Sequence, residues 1–189
     1  PAGKSFGAGI SGALPADGIL ALFASQRTDV RGLGLLAREV GDTETEIHAL
    51  NNVGTTLATA GDLIEGQARL TQSLDLALAR DAHEHAARAF TNLGSVNIIN
   101  WSLADADRHL HAGITYCADR DLDTWRLYMT AWLARSLAEQ GQYDAAERHV
   151  ADRSPGGDQL VCPSPHIDHI IMAACRAARS DAPHPDVIE

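Results

Sequence analysis

The sequence is short of positive charge. Fifteen Lys and Arg stand against 25 Asp and Glu, a net charge of −10 over 189 residues. A phosphate backbone is gripped by a basic footprint, so this segment is not expected to bind nucleic acid. Aromatic residues make up only 5% of the chain; with alanine abundant, that favours close-packed helices over sheets. No apolar run approaches the ~18–20 residues that cross a bilayer, so no membrane partner is expected. The stretch GILALFA (18–24) has the length of a short signal core, but Asp17 precedes it and no basic region stands ahead of it. The three cysteines, Cys117, Cys162 and Cys175, form no CxxC pair and leave an odd thiol, which points to a reducing, cytoplasmic setting. Opening on Pro1 and not on Met, the chain reads as a fragment.

Chemistry-bearing motifs are equally scarce. There is no Gly-x-Ser-x-Gly elbow and no His-Glu-x-x-His, and Cys117 falls mid-helix on an apolar stripe. AGKS (2–5) is the tail of a phosphate-binding loop, but no strand precedes it and no convincing helix follows. His83/His85 and His109/His111 are two apart, which places each pair on different helix faces. His166 and His169 share a face near Cys162, three ligands at most for a metal that wants three or four convergent ones. The Asn100-Trp101-Ser102 triplet has glycosylation spacing, which a cytoplasmic chain would not use. The expectation is therefore a non-enzymatic chain with no cofactor and no metal.

What is present is a repeat. Gly54, Gly94 and Ala134 are 40 residues apart, and in that frame Val53, Leu93 and Leu133 coincide. So do Gly61, Trp101 and Gly141, then Leu63, Leu103 and Tyr143, then Gly66, Ala106 and Ala146, then Leu70, Leu110 and Val150. Within a copy the apolar residues recur at three and four, as in Leu50, Val53, Leu57 and Leu70, Leu74, Ala77, which is helical periodicity. Gly54 and Gly66 are placed where two antiparallel helices approach most closely. Gly61-Asp62 ends one helix and caps the next. Thr43 with Glu46, Asp62 with Glu65, and Asp144 with Glu147 have capping-box spacing. The spacing predicts helix pairs at 43–60/63–80, 83–100/103–120 and 123–140/143–152. The fold class is all-α, an array of antiparallel pairs with a period of 40 residues, and such a period of helix pairs is the mark of an α-solenoid.

These columns resemble the tetratricopeptide repeat, carried by ALNNVGTTLATAGDLIEGQARL with its Asn-x-Gly centre, its Gly-Asp turn and the small residue after it. Copy two keeps Asn92-Leu93-Gly94 and Ala106 but has Trp101 at the turn; copy three keeps Gly141, Tyr143 and Ala146 but has Trp132 where Asn would stand. The period departs from the standard 34 by lengthening the second helix, and the closing Pro is missing. AREVGDTETEIHALNNVGT, HEHAARAFTNLGS and DRDLDTWRLYMTAWLARSLAEQGQYDAA resemble the helical-repeat region of large actinobacterial LuxR-type transcriptional regulators over residues 27–152. That resemblance implies an ATPase upstream and a helix-turn-helix downstream. On this reading 1–16 is a flexible Gly/Ala-rich leader, 17–152 the TPR-like array, 153–165 a loop, and 166–189 the start of a further repeat with a C-terminal tail.

The resemblance also implies that the first helix of each pair lines a groove. It carries His48, Asn51, Asn52 and Thr55 in copy one, Arg88, Thr91, Asn92 and Ser95 in copy two, and Tyr128 and Arg135 in copy three. Arg88 and Arg135 are expected one repeat apart in phase, facing one concavity and suited to a carboxylate. Trp101, Trp125 and Trp132 read either as packing between pairs or as anchors for a partner. The expected partner is a protein or peptide segment, other domains of the same polypeptide included. Two rival readings are a repeat region serving an upstream ATPase or nucleotide cyclase, and a free-standing TPR adaptor.

Overall fold

The computed structural model describes residues 31–151. The leader with AGKS, GILALFA, the loop at 153–165 and the cluster of Cys162, His166 and His169 lie outside them. The described residues are all helix and turn, with no strand among them. Helix α1 covers residues 31–40. Six more follow: α2 (Thr43–Thr59), α3 (Leu63–Ala79), α4 (His83–Ile99), α5 (Leu103–Ala118), α6 (Asp123–Glu139) and α7 (Tyr143–Ala151).

Every reversal is made in the same way. Helix α2 ends at Ala60; Gly61 takes a φ of 100°, its N–H donates to the Ala58 carbonyl, and the Asp62 N–H donates to the Leu57 carbonyl at 3.0 Å. That is a Schellman closure, which satisfies carbonyls the helix end would otherwise leave bare. The long-reaching bond recurs at Asp42→Ala37, Ala82→Ala77, Ser102→Asn97, Leu122→Cys117 and Gln142→Leu137. The left-handed residue is Gly41, Gly61 or Gly141 at three of the turns, and Asp81, Trp101 or Asp121 at the others. Asp reaches that conformation with modest strain, whereas a bulky Trp there is an outlier.

Capping departs from expectation at two helices. The N-cap of α2 is Asp42, whose carboxylate accepts from the Thr45 N–H and hydroxyl, so Thr43 is already inside the helix. Those two bonds hold the Asp42 carboxyl below the usual carboxylate range. Asp144 also lies inside its helix, in the first turn of α7, where its charge complements the helix dipole. Asp62 does cap α3, accepting from the Glu65 N–H at 3.2 Å.

Consecutive helices pack on one another, and in addition α2 touches α4 and α4 touches α6, whereas α3 does not meet α5 and α5 does not meet α7. Helices α2, α4 and α6 thus form a continuous layer, backed by a more widely spaced layer of α3, α5 and α7. Between the layers lie Ile47, Leu70, Leu93, Leu110, Met129 and Leu133, all fully buried. Helix α4 meets neighbours in both layers, so its alanines Ala86, Ala87 and Ala89 are as buried as its large residues.

Glycine sets the spacing of the first pair. A Cβ on Gly54 would stand 2.8 Å from the Gly66 carbonyl oxygen, and one on Gly66 would stand 2.6 Å from the Ala58 nitrogen. The two main chains are in contact. In the next pair Gly94 makes room for the Leu110 side chain, and Gly113 makes room for Met129 and Phe90.

Candidate functional site

Because α2, α4 and α6 start at residues 43, 83 and 123, positions 40 apart share a level in the layer. His48, Arg88 and Tyr128 form one row; Asn52, Asn92 and Trp132 form the next. Side-chain bonds across the layer join residues 40, 41 and 42 apart in sequence, and these link the helices directly.

At the α2/α4 end the face is polar, with Arg88 as its cation. Arg88 donates from Nη1 to His48 Nδ1 at 3.0 Å and from Nη2 to Asn52 Oδ1 at 2.9 Å. A guanidinium has donors only, so Nδ1 of His48 must be the acceptor, and the imidazole is neutral with its proton on Nε2. Burial, then the charges of Arg88 and His85, push the His48 pKa down, in agreement with that tautomer. His85 stands edge-on to His48, with ring centres 6.2 Å apart, and its Nε2 lies 3.5 Å from Glu44. Asn92 donates to the Asn51 side-chain oxygen at 2.6 Å.

At the α6 end the face is aromatic. Trp125, Tyr128 and Trp132 follow one another along the helix with ring centres 6.5 and 6.3 Å apart, and the Arg135 guanidinium lies 5.4 Å from the Trp132 ring centre. The Trp125 indole N–H donates to Glu84, one helix back. The Trp132 indole nitrogen is buried without a hydrogen-bond partner.

Of the ten residues expected to line a groove, the structure brings His48, Asn52, Arg88 and Asn92 together, with Tyr128 in the next helix of the row. Three are withdrawn from the surface: Asn51 at 2% exposure, Thr91 at 2% and Ser95 at 8%. They turn inward because α4 packs closely on α2, and Thr91 and Ser95 satisfy their hydroxyls on the carbonyls of Ala87 and Asn92. Thr55 likewise bonds the Asn51 carbonyl one turn back. The phase assigned to the two arginines is corrected: Arg88 shares a row with His48 and Tyr128, whereas Arg135 shares one with Thr55 and Ser95, about two helical turns further along. Arg135 also lies 3.7 Å from Glu139. Sequence reasoning missed His85, Glu44 and Glu84 as members of this face, and held Trp125 and Trp132 apart from it. Extending the 40-residue columns to 45/85/125 would have collected His85 and Trp125, and Trp132 already stood in the asparagine column 52/92/132.

Elsewhere, a pocket of about 260 Å³ opens between α1, α2 and α3, lined by Leu35, Leu50 and Val53 with Arg31, Arg38 and Arg69 at its edge. Arg38 and Arg69 are paired with Glu46 and Glu65. The Cys117 thiol is buried, and burial pushes its pKa up to about 11, away from a reactive thiolate. Among the described residues no group of three His, Cys, Asp or Glu is placed to hold a metal ion, and no helix is long and apolar enough to cross a membrane.

No protein-family model matches the chain, and no curated protein matches it.

Proposed function

We propose that this chain is a non-enzymatic protein–protein interaction or sensor module, a TPR-like α-solenoid from a bacterial LuxR-type transcriptional regulator acting in the cytoplasm. The observation that carries the reading is the row alignment of α2, α4 and α6: bonds between residues 40 to 42 apart tie α4 to α2, and the Trp125–Glu84 bond, 41 apart, ties α6 to α4. A lone helix pair leaves an apolar face bare, whereas stacked pairs bury it and present a long continuous surface for a partner. Supporting the interaction role, that surface gathers an arginine, a tyrosine and the partly exposed edges of two tryptophans that pack on the core, and Arg, Tyr and Trp are the residue types enriched in binding hot spots. The regulator assignment rests on the sequence resemblance, and fold alone does not dictate function.

Two experiments test this. Reading the coding sequence on both sides should reveal a complete phosphate-binding-loop ATPase upstream and a helix-turn-helix downstream. Calorimetry should then show the segment binding a flanking domain or a partner captured with the full protein. The segment alone should neither hydrolyse ATP nor retard duplex DNA at physiological salt. Saturable ATP binding abolished by Lys4→Ala, or a sequence-specific DNA shift, would overturn the assignment.

A further inference from the structure

Resting on the interaction reading above, we propose that this face takes a peptide segment carrying a carboxylate about three residues from a bulky aromatic side chain. The carboxylate displaces His48 from Arg88, and His48 takes up a proton as it gives way.

Arg88 is the natural seat for the acid, and it is already occupied from within. Its contact with His48 at 3.0 Å exists only while Nδ1 is unprotonated, because both partners would otherwise be donors. A carboxylate is the stronger acceptor for a guanidinium. Once it is seated, a protonated His48 no longer competes; it becomes a further donor to the same anion. Proton uptake and ligand binding therefore favour one another.

The charged groups around His48 make this specific. From α2 comes Glu44, held near His85; from α4 come Glu84, tied to the Trp125 indole, and Arg88 and His85 themselves. Helices α1 and α3 aim Arg38 and Arg69 at Glu46 and Glu65, and on α6 Asp123 and Arg126 pair with each other. Arg88 is thus the cation of this row, and the two glutamates discourage an incoming acid from sitting elsewhere.

The second half of the ligand is set by Tyr128, in the same row on the next helix of the layer, with Trp125 and Trp132, both partly buried against the core, flanking it. Helices of one layer lie roughly 8–10 Å apart, which is about three residues of extended chain. An acid over Arg88 therefore places the third residue along over the aromatic rings.

The test uses the full chain and two blocked tetrapeptides, Glu-Gly-Gly-Trp and its reverse Trp-Gly-Gly-Glu, so that both chain directions are sampled. Each has a counterpart with Gln in place of Glu. Titration by calorimetry is run at about pH 5.5 and about pH 7.5, on either side of the histidine range. At least one Glu peptide should bind; its Gln counterpart should bind about tenfold or more weakly; and binding should tighten at the lower pH with proton uptake. Arg88→Ala should lose the preference for Glu over Gln. His48→Ala should bind more tightly than wild type at the higher pH and lose most of the pH dependence, a gain that general damage to the fold would not produce. Equal binding of Glu and Gln peptides, or weaker binding by His48→Ala at the higher pH, overturns the proposal. Partner binding by the full protein that survives Arg88→Ala would overturn this inference and leave the interaction reading standing. Loss of all partner binding by intact wild type would remove both.

Discussion

The pairs α2/α3 and α4/α5 are built from the same columns and packed by different means. In the first, Gly54 and Gly66 bring main chain against main chain. In the second, Ala106 occupies the place of Gly66, and the nearest atoms to Gly94 all belong to the Leu110 side chain. A side chain can be trimmed or repacked to absorb an intruding methyl, whereas a helix backbone moves only as a rigid body. One glycine column therefore protects two kinds of contact, and a substitution in it should be tolerated to different degrees.

The largest effect is expected at the first pair. Gly54→Leu should lower stability by about 2–4 kcal/mol, because the Leu70 side chain can give way but the Gly66 carbonyl and the Leu70 main-chain nitrogen, equally close, cannot. Thermal and urea melts read it directly, and an unchanged midpoint would mean the backbones are not in contact. Gly94→Ala should cost about 1–2 kcal/mol. Combining it with Leu110→Ala should recover part of that loss, and the matching Leu70→Ala should rescue Gly54→Leu less, because backbone still bars the way in the first pair. If the two changes simply add, the side-chain account of the second pair is wrong.

The turns extend the comparison. Gly61 and Trp101 occupy equivalent left-handed positions, with φ of 100° and 60°, and Trp101 is 70% exposed. Left-handed backbone costs a non-glycine residue about 1–2 kcal/mol, while glycine loosens the unfolded chain by about 0.4–1 kcal/mol. Trp101→Gly should therefore raise stability by about 0.5–1 kcal/mol. A drop in melting temperature would mean the exposed indole makes a stabilising contact.

The smallest effect concerns acid. Burial pushes the pKa of both His48 and His109 below the ordinary value of 6.5. A base with a depressed folded pKa stabilises the fold above its unfolded value and loses that stability as pH falls through the folded one. Melting temperature should hold above pH 6.5 and decline below it, with a shallower decline in His109→Gln. A flat profile down to about pH 5 would remove both histidines from the argument.

The all-helical character and the placing of the turns were legible because each rests on local chemistry: three-four apolar spacing, glycine or aspartate where the backbone is left-handed, and small residues where helices touch. The candidate face was legible only in part. Asn51, Thr91 and Ser95 are polar and sit near the exposed row, yet the packing of α4 on α2 buries them, and that packing is encoded by no single helix. Trp132 shows the opposite failure: an aromatic in a column of asparagines read as a break in the pattern, although it completes the row with Asn52 and Asn92. Asp42 was passed over as a cap because Thr43 with Glu46 offered the more familiar spacing one residue later.

The contacts of this fold also have a limited reach along the chain. From α2 to α7 each helix meets its immediate neighbours and, in the continuous layer, the next helix but one, and none of these six meets a more distant one. Contacts that are near in sequence close small loops, which are fast to form. As the chain leaves the ribosome, a pair can dock once about 40 residues have emerged, which at ~5–20 residues per second is a matter of seconds. Each later pair then meets a finished surface, so synthesis order and assembly order coincide, and growth of the array requires no rearrangement of what has already folded.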